Sequence, residues 1–159
     1  MTQLLIADVA VGAALPALTY EVTATRLIAG ALASRDYSPL HHDRTYVVDV
    51  AGQRDIFANT QFQAALIERY LGDWSGPLGR IARMQFRMKS SIFACDRVLL
   101  GGSVEQVLAE GPCGASAAVN ITLSVEGRLA TTCEALYALP ASAGDNPWAR
   151  HGKQWLQPD

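Results

Sequence analysis

The sequence predicts an α+β domain in which one long helix packs against a curved antiparallel sheet. Three observations carry that expectation. A single helical stretch with a broad apolar face occupies residues 57–71. From residue 82 onward the hydrophobic period changes from the helical 3.6 to 2 and stays there through four consecutive segments. Finally, 159 residues, half of them apolar and 18% charged, suit one buried core and exclude a largely disordered chain.

Residues 1–17 mix Gly, Ala and Pro and read as an irregular lead-in. Residues 18–23 alternate enough for a short strand. Over residues 25–34, Leu27, Ile28, Ala31 and Leu32 share one helical face, with Thr23 or Thr25 available as N-cap and Gly30 as a slight weakness. The run Arg-Asp-Tyr-Ser-Pro-Leu-His-His-Asp follows at residues 35–43. Pro39 fixes its own φ and pushes Ser38 towards an extended conformation, so the chain leaves the helix and turns as a stiff loop.

Residues 46–55 show no clear period, and Asp55 is a candidate helix cap. In the 57–71 helix, Phe62, Ala65, Leu66 and Tyr70 form one stripe that Ala58, Ile67 and Leu71 widen. A face that broad predicts a helix largely covered by other elements. Gly72 and the Gly76-Pro77 pair end it. Ala82, Met84, Phe86 and Met88 then alternate with Arg83, Gln85, Arg87 and Lys89 as a half-buried strand. Further strands are expected over 97–107, 115–125 and 129–139, the third with Ala115, Ala117, Val119, Ile121, Leu123 and Val125 on one face. Residues 1–140 thus form one domain. Residues 141–159, rich in Pro and Gly, form an extended tail that Trp148 and Trp155 help to dock.

A net charge of −2 without a basic block argues against nucleic-acid and anionic-membrane binding. Residues 1–18 lack the positive region of a signal peptide, and no window approaches the roughly 18–20 apolar residues of a membrane helix. Cys95, Cys113 and Cys133 are odd in number and widely spaced, which fits reduced thiols in a cytoplasmic protein. No metal is expected. The adjacent side chains of His42 and Asp43 point apart on an extended loop, and His151 lies in the tail.

The 35–43 loop holds the candidate chemistry. A carboxylate at Asp36 and an imidazole at His41, one at each side of a proline turn, can both reach one small object such as a water molecule. On spacing alone, Asp36 as a helix end and His41 as a surface loop residue is the commoner arrangement, since Asp and His five apart occur often. Ser38 lacks the strained turn of a hydrolytic nucleophile, which leaves it a positioning role. Asn59 reads as a helix cap or a site residue. Arg80, Arg83, Arg87 and Lys89 form the one basic cluster, a pattern that any solvated strand face also produces.

The run Asp36-Tyr37-Ser38-Pro39-Leu40-His41 resembles the Asp-x-Asn-Pro-Leu-His signature of the MaoC-like, (R)-specific enoyl-CoA hydratases, which are hot-dog proteins. The resemblance covers roughly residues 18–139. Within that family the chain is most similar to the catalytic subunit of the actinobacterial heteromeric steroid enoyl-CoA hydratases. Ala33-Ser34-Arg35-Asp36, His41-His42-Asp43, Asp55-Ile56-Phe57-Ala58-Asn59 and Arg69-Tyr70-Leu71-Gly72-Asp73-Trp74 carry that likeness.

The resemblance implies a single hot-dog fold and reversible hydration of a 2-enoyl-CoA, with a bulky steroid-type acyl group. Asp36 would activate the water and His41 would help hold it and move the proton, both with pKa values near neutrality if partly buried. It implies no cofactor, coenzyme A being part of the substrate. It also implies a second hot-dog subunit in a heteromer, with a homodimer as alternative. Ser38 departs from the signature's Asn. Phe57-Ala58-Asn59 stands where an oxyanion-hole glycine is expected, so a backbone amide of Ala58 or Asn59 would take its place. Arg83, Arg87 and Lys89 become candidates for the coenzyme A phosphates. A hot-dog acyl-CoA thioesterase and a non-catalytic acyl-CoA-binding partner subunit are the alternatives.

Overall fold

The computed structural model describes residues 3–155. Strand β1 (Ala14–Glu21) is followed by helices α1 (Ala24–Ala33), α2 (Arg44–Asp49) and α3 (Thr60–Ser75). Strands β2 (Arg80–Met88), β3 (Arg97–Leu108), β4 (Ser116–Val125) and β5 (Arg128–Ala138) complete the sheet. All pairings are antiparallel, in the spatial order β1-β3-β4-β5-β2, so β1 and β2 are the edges. The expected α+β architecture is what forms.

The inner face of the sheet is built by alternation. Ala115, Ala117, Val119, Ile121, Leu123 and Val125 are all buried, as their period of two predicts. From α3 they meet Leu66, Ile67, Tyr70 and Leu71, four buried side chains worth about 2 kcal/mol each in area removed from water. Aromatic contacts along α3 reach the edge strand β1 and the interior strand β5. Phe62 meets Tyr20 of β1 edge-on at 6.2 Å, and Trp74 lies 6.2 Å from Tyr137 of β5. Helix α1 approaches α3 at Gly30, where a Cβ would stand 2.7 Å from Phe62 Cδ2. The glycine that weakens α1 as a helix is what lets the two helices touch.

Several boundaries differ from the sequence expectation. Strand β1 begins four residues before residue 18, inside the presumed lead-in. Pro16 is tolerated there because β1 is an edge strand, and its register with β3 shifts between Leu15 and Leu18. Residues 44–49 form a short helix, started by Asp43, whose carboxylate accepts from the Tyr46 amide at 3.0 Å. Helix α3 starts at Thr60 because Phe57 bridges to Phe93 and the Ala58 N–H donates to the Ile92 carbonyl at 2.8 Å. Its cap is Asn59 and not Asp55; the Asp55 carboxylate accepts from the Ile56 amide. Gly72 lies inside α3, and the chain turns at Gly76, whose φ is 88°. One face of α3, with Ala65, Glu68 and Arg69, is open to solvent, so the helix is covered on one side only.

Of the C-terminal segment, the described residues 141–155 are not extended. They fold into 3₁₀ turns at Pro147–Ala149 and Gly152–Gln154 and strap the end of the sheet. Arg150 donates to the carbonyls of Cys113 (2.6 Å) and Leu139 (3.0 Å) and pairs with Asp145. Trp148 Nε1 donates to the Gly79 carbonyl, and the Arg80 guanidinium stacks 3.6 Å above the Trp155 ring. No helix among the described residues is long and apolar enough to cross a membrane.

Candidate active site

Asp36 is placed by the way α1 ends. The Arg35 amide donates to the Leu32 carbonyl and the Asp36 amide to Ala31, the paired closure of a Schellman motif. Arg35 takes the left-handed conformation that closure needs, at φ 55°, a position more often given to glycine. Asp36 is therefore the first side chain beyond a sharply terminated helix. Two residues later Ser38 is extended and Pro39 opens a 3₁₀ turn, Pro39–His41, that delivers His41 into the protein at 8% exposure.

Each group is held by a different element. His41 Nδ1 lies 2.8 Å from the Phe57 carbonyl oxygen, and the ring meets Phe57 edge-on at 5.2 Å. A carbonyl can only accept, so Nδ1 carries the proton and a neutral ring presents its lone pair at Nε2. That nitrogen stands 3.4 Å from Asp36 Oδ2. Asn59 Nδ2 donates to Asp36 Oδ2 and to Ser34 Oγ, both at 3.0 Å, while Asn59 Oδ1 caps α3 by accepting from Phe62 N at 2.8 Å. The Ser38 amide donates to Asp36 Oδ1 at 3.3 Å.

The Asn59 hydrogen bond is the main cause that holds the Asp36 carboxyl below its ordinary range. Burial opposes it; the Ser38 amide and the nearby His41 and His42 assist. Asp36 is thus a committed carboxylate, which corrects the near-neutral pKa expected for it. The reason is the carboxamide from α3, 23 residues away in the chain.

Asp36, His41, Ala58, Asn59 and Lys89 line one cleft of about 300 Å³ together with Phe57, Thr60, Gln63, Met88, Ser90 and Ser91. Ser38 is not part of its wall; its contribution is the backbone bond to Asp36. The Ala58 amide is already committed to Ile92, so it cannot serve an oxyanion. Of the backbone donors at this end, those opening α3 have no intrahelical acceptor. Arg83 and Arg87 do not reach the cleft either. Alternation along β2 sends their side chains to its exposed side, and Arg83 lines a separate groove with Gln85, Glu105 and Glu134.

Sequence reasoning missed Gln63. The sequence analysis assigned it no role, and it is buried at the cleft, bonded to Thr131 and Met88. A polar residue at i+4 from the cap, on the apolar face, was the available signal. Among the described residues no group of three or more His, Cys, Asp or Glu is gathered to hold a metal. His42 is exposed, and Asp43 is occupied as the α2 cap.

No family model matches the sequence. It is 38% identical over 97 residues to the 3-oxo-4,17-pregnadiene-20-carboxyl-CoA hydratase beta subunit of Mycobacterium tuberculosis, a match covering 61% of this chain and 74% of that one. A chain of the ChsH1-ChsH2 complex from the same organism superposes with TM-score 0.75 and 30% identity over 82% of this chain and 98% of that one. The (R)-hydratase from A. caviae involved in PHA biosynthesis shares the fold, with TM-score 0.74 and 24% identity over 84% and 98% of the two chains.

Proposed function

The chain belongs to the MaoC-like (R)-specific hydratase family, and on that footing we propose that it adds water reversibly across the double bond of a 2-enoyl-CoA. The single observation that carries this reading is the pair of facing acceptors, Asp36 Oδ2 and His41 Nε2, 3.4 Å apart. At 3.4 Å the two atoms are close enough for one water molecule, seated to the side of the pair, to touch both. A water molecule donating one hydrogen to each satisfies both and presents its oxygen lone pair to the cleft.

With the enoyl thioester in the cleft, the water oxygen bonds to C3 while one of its protons passes to the Asp36/His41 pair. The C2=C3 electron pair moves towards the thioester oxygen, and the enolate collapses as C2 takes one proton from the pair. One water is consumed, and the pair returns to its starting protonation. Asp36 is the base that activates the water, ionised across the physiological range because Asn59 keeps its pKa low. His41 holds the water and relays the proton. A backbone amide at the start of α3 faces the developing enolate oxygen, where the positive end of the helix also favours negative charge. The reaction needs no cofactor, coenzyme A being part of the substrate. Lys89 lines the cleft, and in this reading it is the cation for the coenzyme A phosphates.

The beta-subunit relative and the two-protein complex among the similar structures support a steroid-type acyl group and a second hot-dog subunit as partner. The test offers the protein, alone and with candidate hot-dog partners, a panel of short, long and steroid enoyl-CoAs. Loss of the enoyl absorbance without release of free thiol is expected. Asp36→Asn and His41→Ala should each lower kcat by about 10²–10⁴-fold. Thiol release would instead identify a thioesterase, and no turnover of any substrate under either condition would sink the proposal.

A further inference from the structure

The acid/base mechanism leaves one buried polar group in the cleft without a task. Gln63 lies on α3 four residues after Asn59, lines the same cleft and is 1% exposed. The Thr131 hydroxyl donates to its Oε1 at 2.6 Å, which turns Nε2 towards Met88 Sδ at 3.2 Å. The reverse orientation would set the carboxamide oxygen against the sulfur lone pairs with no proton between them. A carboxamide nitrogen carries two hydrogens, and a thioether is a weak acceptor. A nearly fully buried donor therefore borders the cleft with a weak sulfur acceptor as its partner, one that a stronger acceptor entering the cleft can replace.

Helix geometry indicates where that acceptor lies. Side chains on a helix lean towards its N-terminus, and Gln63 Nε2 and Thr60 Oγ1 of the first turn of α3 both approach Met88 Sδ, at 3.2 and 4.0 Å. This is the place where the enolate oxygen needs donors, and the Ala58 amide, spent on Ile92, cannot supply one.

The geometry points to Gln63 as a side-chain donor of the oxyanion hole, its Nε2 hydrogen-bonding the thioester oxygen of a bound 2-enoyl-CoA alongside a backbone amide of the first turn. The assignment rests on the hydratase reading above. No bond to Gln63 forms or breaks. The electron pair displaced from C2=C3 rests on the thioester oxygen while the water oxygen bonds to C3, and returns when C2 takes its proton. Gln63 meets the charge in between. Thr131 acts through it, as the residue that keeps the nitrogen facing the cleft.

Gln63→Met keeps length and bulk and removes both N–H groups. Kinetics on a short trans-2-enoyl-CoA should show kcat lowered by about 100-fold with little change in KM, the pattern for a donor used mainly in the transition state. The infrared carbonyl stretch of a bound, isotope-labelled acyl-CoA should shift back towards its free-solution value. Thr131→Val, which leaves Gln63 in place but releases its orientation, should give a smaller loss in both readouts and serves if Gln63→Met does not fold. Unchanged kcat and carbonyl frequency in the variants overturn the assignment while leaving a hydrating wild type intact. A wild type that polarises the carbonyl through Gln63 yet hydrates nothing upholds the donor and overturns the hydratase reading. A wild type that binds no acyl-CoA overturns both.

Discussion

Asn59 joins the stability of α3 to the charge of Asp36, and replacing it separates the two. Asn59→Ala removes an N-cap, worth about 1 kcal/mol, and a hydrogen bond to a carboxylate, worth about 1.5–3 kcal/mol in a buried setting. Because a quarter of the Asp36 side chain is exposed, the second figure is discounted to about 1 kcal/mol, for a total near 2 kcal/mol at neutral pH. The sign of the pH dependence follows from the depressed pKa. In the wild type this contribution is fully present above the unfolded carboxyl pKa of about 3.9 and fades as pH falls through the lower folded value. Asn59→Ala removes the main cause of the depression, so the loss of stability should shrink in acid, and the Asp36 titration should move up. Asn59→Asp keeps an acceptor for Phe62 N but sets a second carboxylate against Asp36, which should raise the Asp36 titration further and suppress hydration at neutral pH. Urea unfolding at pH 7 and in acid gives the stability, and carbon NMR of the Asp36 carboxyl gives the titration. An Asp36 titration unmoved in both variants would refute the coupling.

Two further outcomes follow from close contacts and burial. Gly79→Ala would place a Cβ 2.3 Å from Tyr137 Oη and 2.4 Å from Ser75 Oγ, splitting their 2.9 Å hydrogen bond; a loss of about 2 kcal/mol in urea unfolding is expected. With iodoacetamide, exposed Cys95 should be alkylated first; Cys133, buried and pushed up to about 12 by that burial and by Glu134, should react only on unfolding, as read by mass spectrometry.

How far the sequence could be read depended on whether the deciding contact was local. The period of two over 115–125 identified the inner face of β4 residue by residue, and of the two threonines available as the cap of α1, Thr23 is the one whose side chain accepts from the Arg26 amide. Pro39 announced the turn that presents His41. The start of α3 misled because Phe57 and Ala58 are apolar for a different reason: their partners are Phe93 and Ile92 across a bridge. Asp36 and His41 could be paired from one short run, but the depressed Asp36 pKa could not be foreseen, since Asn59 lies 23 residues downstream. Arg83 and Arg87 share the strand parity of Lys89 and looked like its neighbours in sequence, but β2 ends at Met88, and beyond it Lys89 turns to the cleft that the two arginines do not line.

The bond that fixes the tautomer of His41 comes from the main chain of Phe57, whose carbonyl accepts from Nδ1 while its amide donates to the Leu40 carbonyl at 3.3 Å. No exchange of side chain at this position deletes that carbonyl. A mutational scan would therefore score position 57 only for the packing of its ring on His41 and Phe93, and its part in orienting the imidazole would leave no mark. Tolerance to substitution and participation in the chemistry are separate properties here, and a genetic map of this site would be missing one of its supports.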